Sequence, residues 1–502
     1  MAAGPRGPEP GPAPGARFFC TAGRGLEPFL MREVRERLQA AQVEYVSGKV
    51  FFTTCSDLNM QKTLKSTERV FLLIKKQFLF NVSSVSKGKI FNEMQRLIND
   101  DPESWLNAIS IWKNLLELDA KKEELSQRDA NLLKRRMREN DTVIAKKLKA
   151  EQIQETQETR ECQPEKQIEE ETLEQGDFLT ERETFQELEN DVAKAIDAHN
   201  HKDLTFRVSC RCSGAMAKTL SAQEVGRIIG IALMKQFGWK ADLRSPNLEI
   251  FIHLNDIYSV MGIPVFRVPL ASRAYIKTAG LRSTVAWAMA SVAEIKAGAF
   301  VLDPMCGLGT ILLEAAKEWP DVYYVGADVS DSQLRGACDN LKAAGLTGKV
   351  ELLRVSVIEL PLPSGSVDVI ISDIPFGKKF TLGKDIRSIL REMERVLHVG
   401  GTLVLLLSED HRRRLGAREE HSVPRDSKGS HADEPETEKC VIPKEKNGTS
   451  EAVASSLEAN TQECLHEMLP FGSLVPVECY KVSLGRTDAF ICKYKKADSS
   501  GL

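Results

Sequence analysis

The residues most able to do chemistry stand in three short stretches of the C-terminal half. The first is Asp303-Pro304-Met305-Cys306-Gly307-Leu308-Gly309-Thr310, between the apolar run Ala299 to Leu302 and the helical run Ile311 to Lys317. Two glycines in a strand-to-helix turn let the backbone approach a ligand closely at a sheet's C-terminal edge. A phosphate loop would need Gly-Lys-Ser/Thr, which is absent. A dinucleotide fingerprint would need a third glycine where Leu312 stands. A carboxylate at the strand end is awkward beside pyrophosphate but suits a cationic, amino-bearing ligand such as S-adenosylmethionine. Asp303, Pro304, Cys306, Gly307, Gly309 and Thr310 are therefore expected around that cofactor.

Asp328 closes the next strand, where a carboxylate can accept both ribose hydroxyl protons of an adenosine. Its alternative use is a helix N-cap, but Ser330 is the better cap, which leaves Asp328 for the ligand. The third stretch is Ser372-Asp373-Ile374-Pro375-Phe376-Gly377. An exocyclic base amine is a poor nucleophile, because its lone pair is conjugated with the ring. It needs acceptors that hold its N–H groups and aim the lone pair at an activated methyl. Asp373 and the Ile374 carbonyl can be those acceptors, Pro375 stiffens the turn, and Phe376 offers a face for a flipped base. The bland alternative is a turn after a buried strand. A doubly wound sheet, however, sets its fourth strand beside its first, so this turn would face Asp303 to Gly309.

The elements that must position these residues alternate strand and helix. Strands are expected at Ala299 to Leu302, Val322 to Ala327, Val350 to Val355, Val367 to Ser372 and Leu403 to Leu407. Ile386, Ile389, Leu390, Met393 and Leu397 share a helical face, with Gly400-Gly401 as its stop. Val475 to Leu484 and Ala489 to Tyr494 form a closing antiparallel hairpin. Upstream, residues 16–115 read as a compact α+β unit and a second small α/β module ends near Arg273. In it Ser221 and Glu224 make a capping box. Residues 1–15 read as a disordered tail. Residues 118–190 and 411–465 are too polar to form a core, the first a charged linker and the second a loop inserted in the catalytic fold.

A chain of 502 residues with 42% hydrophobic and 28% charged residues implies several domains. The net charge of −3 neither requires nor excludes nucleic acid. Local charge points toward it: Arg207, Arg211, Lys240 and Arg244 in the second module, then Arg273, Lys277 and Arg282, are candidate RNA contacts. The 11 cysteines contain no CxxC pair, so no metal site is expected and a reduced intracellular compartment fits. No run approaches a membrane span. A soluble protein, in the nucleus rather than the cytoplasm, is expected.

On these motifs the chain resembles the THUMP-domain family of RNA guanosine N2-methyltransferases. Gly25-Leu26-Glu27 and Gly48-Lys49-Val50-Phe51-Phe52 resemble its N-terminal ferredoxin-like domain over 16–115. Phe206-Arg207-Val208, Gly238-Trp239 and Pro246 resemble the THUMP RNA-binding domain over 190–272. Asp303 to Gly307 and Asp373 to Gly377 resemble its class I, Rossmann-like α/β methyltransferase domain over 273–502, a seven-stranded sheet with a closing antiparallel hairpin. The resemblance implies methyl transfer to guanosine N2 in a small structured RNA, tRNA or a small nuclear RNA. It also implies a small zinc-binding activator subunit as partner in a heterodimer. Relatives place an Asp after the third strand to bind the adenine amine, and Ser356 takes that position here. A protein that binds RNA without catalysis, and an adenine N6 or cytosine N4 methyltransferase, are the competing readings.

Overall fold

The computed structural model describes residues 15–46, 48–78, 87–128, 204–375, 386–416, 461–485 and 487–498. They fall into two compact units. One comprises the chain up to Ser56, Met60–Phe71 and the chain from Phe266; the other comprises Asp57–Asn59 and Leu72–Val265.

In the first unit the C-terminal sheet is made of β9 (Phe300–Asp303), β10 (Tyr323–Asp328), β11 (Val350–Arg354), β12 (Val367–Asp373), β13 (Leu397–Ser408), β14 (Leu474–Ser483) and β15 (Asp488–Lys496). Their order is β11-β10-β9-β12-β13-β15-β14. The first five are parallel and β15 runs antiparallel to β13 and β14. This is the class I methyltransferase sheet. Its central strands are apolar runs buried on both faces, as helices on either side of a parallel sheet require. The helix Ile386–Val396 buries Ile386, Ile389, Leu390, Met393 and Val396 as a single stripe.

Gly400 does something other than stop that helix. The helix ends at Val396 and β13 begins at the next residue, with Gly400 inside the strand at φ +82°. The β12–β13 pairing steps from Val367–Leu397 to Val369–Thr402, so the glycine lies in an irregular stretch of the ladder.

The same unit contains β1 (Ala16–Ala22), β2 (Ala41–Val46), β3 (Lys49–Thr54) and the start of β4 (Thr67–Phe78), with the helix Glu27–Leu38 and the end of the helix Leu58–Lys62 between them along the chain. The order β2-β3-β1-β4 is that of a ferredoxin-like sheet. Phe18 pairs with Phe52 and Phe19 with Phe51 across the antiparallel β1–β3 ladder, and all four rings are buried.

In the second unit β5 (Thr205–Cys212) lies between β7 (Leu248–Leu254) and β6 (Lys240–Ala241), parallel to both, and β7 pairs antiparallel with β8 (Tyr258–Pro264). The expected capping box is present: Ser221 Oγ accepts from Glu224 N, and the Glu224 carboxylate accepts from Ser221 N at 3.0 Å. The helix Ala222–Phe237 then ends on Gly238 in the left-handed region. The stretch 118–128 continues the helix that begins at residue 102. The rest of the charged linker, and 417–460 of the polar insert, lie outside the described residues. Among the described residues, no helix is long and apolar enough to cross a membrane.

Candidate active site

β9, β10 and β12 end side by side, and each delivers one carboxylate to the same edge. Asp303 is 1% exposed. Its Oδ1 accepts from Met305 N at 3.2 Å and from the hydroxyl of Ser372, on the neighbouring strand, at 3.1 Å. Burial pushes the Asp303 carboxyl up to about 8, with the charges of Asp373 and Asp328 adding to the rise. Asp373 is pushed up to about 7 by burial alone. Its Oδ1 is buried without a hydrogen-bond partner. Three neighbouring carboxylates, two of them poorly solvated, form an edge that gains from a cation and from N–H donors.

The glycine turn is shaped by its own backbone. Gly307 and Gly309 adopt φ of +51° and +75°, which side chains with a Cβ resist. Gly309 is the N-cap of the helix Thr310–Glu318, and Thr310, its first residue, is buried. Pro304 and Cys306 are buried as well. Burial and the charges of Asp303 and Asp328 push the Cys306 thiol far up, so it stays neutral and serves packing rather than covalent catalysis.

Asp328 is less free than its sequence context suggests. Its Oδ2 accepts from Gly307 N at 3.0 Å and its Oδ1 from Ser330 N at 2.9 Å, while Ser330 caps the helix Asp331–Ala343. The carboxylate thus holds the glycine turn to β10. Each oxygen still has a second lone pair for a hydroxyl donor. Ser356 is exposed, two residues beyond β11, with its Oγ accepting from Ile358 N at 3.4 Å. Ile374 is fully buried and its N–H is bonded to Leu406 O at 3.2 Å, which fixes the turn after β12; Pro375 follows half-buried. Phe376 lies outside the described residues.

Sequence reasoning missed Ser372. Ser372 was concealed as one more strand residue, although it is fully buried and supports Asp303.

Of the candidate RNA contacts, Arg211, Lys240 and Arg244 are exposed in the second unit, as are Lys277 and Arg282 in the first. Arg207 is half-buried and pairs with Glu249 at 2.9 Å. Arg273 is a correction. Its side chain is 5% exposed and bonds Glu314 at 3.2 Å, Lys65 O at 2.8 Å and Leu270 O, while Tyr275 shares the Glu314 carboxylate at 2.9 Å. Its guanidinium is committed to this buried network, so it does not present a charge to RNA. Among the described residues, no group of three His, Cys, Asp or Glu side chains is arranged to hold a metal ion.

The model of the RMKL-like methyltransferase domain matches residues 271–428, and that of the THUMP domain matches residues 182–261. The chain is 75% identical over 501 residues to the U6 snRNA (guanine-N(2))-methyltransferase THUMPD2 of Bos taurus, covering 100% of both chains. It is 76% identical over 497 residues to the Homo sapiens protein of that name, covering 99% of each. The crystal structure of TrmN from Thermus thermophilus shares the fold, with TM-score 0.54 at 17% identity over 96% of this chain and 99% of that one. The carboxylate edge, the glycine turn and the unpartnered Asp373 oxygen fit S-adenosylmethionine and an amine acceptor, and the chain belongs to the THUMP-domain family of S-adenosylmethionine-dependent RNA guanine-N2-methyltransferases.

Proposed function

We propose that the enzyme methylates a guanosine N2 amine of U6 small nuclear RNA, that Asp373 and the Ile374 carbonyl hold that amine, and that a small zinc-binding activator subunit completes the enzyme. The RNA assignment is supported by the names of the relatives matched over the full chain. The observation that carries the chemistry is the buried, unpartnered Asp373 Oδ1 at the edge it shares with Asp303.

A guanine amine brought to this edge donates its N–H groups to Asp373 and to the Ile374 carbonyl. That fixes the plane of the amine and turns its lone pair away from the acceptors. S-adenosylmethionine supplies the methyl group, activated on a sulfonium. Asp328 would take the ribose hydroxyls, and the turn from Asp303 to Thr310 would hold the remainder. As the amine nitrogen gains positive charge, the Asp373 carboxylate stabilises it and can accept the proton it releases, a transfer suited to a group near pH 7. Direct displacement needs no covalent intermediate, in keeping with the neutral Cys306. Residues 190–272 act as the RNA-docking module, with Arg211, Lys240 and Arg244, and then Lys277 and Arg282, on phosphates. A nuclear location follows from the substrate.

The test is nucleoside analysis of U6 and tRNA transcripts after incubation with the enzyme, the activator subunit and labelled cofactor. N2-methylguanosine in U6 is expected. Asp373→Ala should lower the single-turnover rate by about 10²–10³-fold, in the range for loss of one preorganised transition-state partner, with cofactor affinity changed only a few-fold. Methyladenosine or methylcytidine as product would overturn the base assignment, and an undiminished Asp373→Ala rate would overturn the mechanism.

A further inference from the structure

The glycine turn needs a seat, and the helix Asp331–Ala343 provides one. Gly336, Ala337 and Asn340 lie on one face of that helix by their spacing. A Cβ on Gly336 would run into the Leu308 side chain, and a Cβ on Gly309 would stand 3.3 Å from that of Ala337. Asn340 is fully buried and uses its whole hydrogen-bonding capacity. Its Oδ1 accepts from Lys277 N at 2.9 Å and Thr278 N at 3.0 Å. Its Nδ2 donates to Thr278 O and to Leu308 O, both at 3.1 Å. One side chain thus ties the segment before the helix Ser283–Val292 to the middle of the glycine turn. Gly280, in that segment, lies so near the turn that a Cβ would stand 3.0 Å from Thr310 Oγ1.

We infer that Asn340 is a positioning residue of the cofactor site: it clasps residues 277–280 onto the turn Asp303 to Thr310 and so holds that turn in its binding conformation. The inference rests on the placement of S-adenosylmethionine at this edge. A preformed turn lowers the ordering cost of cofactor binding, and the clasp has no part in the chemical step, so its loss belongs in cofactor affinity more than in turnover.

The experiment measures the Kd of labelled S-adenosylmethionine, its KM and kcat at saturating RNA with the full chain and the activator subunit, and a melting curve for each variant. Asn340→Ala should raise Kd and KM by about 10-fold or more while kcat at saturating cofactor falls less than about 3-fold. Asn340→Asp keeps both acceptor bonds and loses both donors. Its affinity should improve relative to the native protein as pH falls, since a protonated carboxyl regains a donor. If Asn340→Ala does not fold, Gly280→Val and Gly336→Leu decide, for they press on the same turn from the segment and from the helix. Each should raise Kd without a matching loss of kcat. Asp328→Asn separates the two ideas. If it weakens binding while the folded Asn340, Gly280 and Gly336 variants bind normally, the clasp is overturned alone. If Asp328→Asn binds normally, the placement of the cofactor at this edge fails and the clasp falls with it.

Discussion

The cofactor edge and the seat of the N-terminal strands belong to the same compact unit, yet they are built in opposite ways. The edge is assembled from short contiguous runs, 303–310, 328–330 and 372–374, whose polar groups remain only partly satisfied. The seat is assembled from residues far apart in the chain, and its charged groups are paired with one another or with the backbone, while Trp287 Nε1 is buried without a hydrogen-bond partner. Leu26 and Phe29 join the core of the catalytic sheet, with the Phe29 ring 4.8 Å from that of Tyr480. Ser483 N donates to Arg24 O at 2.9 Å. The Arg37 guanidinium lies 5.4 Å from the Trp287 ring centre and bonds Glu318 at 2.6 Å, and Glu33 accepts from the backbone of Lys65 and Ser66. One region leaves a carboxylate in want of a ligand, and the other pairs its charged groups with one another and with the backbone. Substitutions in the seat should therefore unfold, and those at the edge should disable.

The largest effect is expected in the seat. Phe29 is 2% exposed, and Phe29→Ala removes a ring from a core shared by the N-terminal helix and the catalytic sheet. A loss of roughly 3–5 kcal/mol is expected, the range for a buried Phe→Ala change. Denaturant melting followed through cofactor binding is the check. Loss of the N-terminal strands with an intact cofactor site would show that the two parts do not share a core.

Arg273 and Lys277 sharpen the contrast at closer range, being four residues apart with opposite surroundings. Arg273→Ala leaves Glu314 buried with Tyr275 as its remaining hydrogen-bond donor, and should cost about 3–4 kcal/mol of stability, as for other broken buried pairs. Lys277 is exposed, so Lys277→Ala should leave melting unchanged. If it meets a phosphate, the salt dependence of RNA binding should flatten by about one unit of slope. Equal effects of the two on RNA affinity, with equal melting curves, would break the distinction.

How far each region could be read from sequence follows from how it is built. The turn from Asp303 to Thr310, the Ser221–Glu224 box and the apolar stripe of the helix Ile386–Val396 are local patterns, and each is found where its pattern placed it, except that Leu397, expected on the stripe, opens β13 and Val396 closes the stripe instead. The second uses of the same residues were not legible. Nothing near Arg273 announces Glu314, 41 residues on, and nothing near Asp328 announces that its carboxylate is bonded to the Gly307 amide. Gly400 looks like a helix stop because glycine follows the stripe, and only the strand pairing reveals that it lies in an irregular stretch of the β12–β13 ladder. Arg37 and Glu318 stand 281 positions apart, beyond the reach of any local rule. Local chemistry selects a ligand, while long-range pairing decides which charges are still available to bind it.

The smallest effect is also the most diagnostic, because it sets stability against function at one residue. The carboxyls of Asp303 and Asp373 are raised to about 8 and about 7 by burial, so the folded protein holds their protons more tightly than the unfolded chain does. The stability this gives is fully present below the ordinary Asp range near 4 and is lost as pH climbs through 7 to 8. Asp373→Asn removes one of the two groups from that balance. The variant should gain stability over the native protein as pH rises from about 4, and the gain should level off above pH 8 at about 1–2 kcal/mol, a figure reduced from the full linkage value for the carboxyl's partial exposure. Calorimetry at pH 5 and pH 8.5 measures the gap in Tm. The cofactor proposed for this edge carries a positive charge, so its stabilisation of the native protein should be larger at pH 8.5 than at pH 5, and the variant should show less of that increase. A Tm gap that stays constant across this range would mean that Asp373 is ionised at little cost in the free protein, and the edge would then have no strain for substrate or cofactor to relieve.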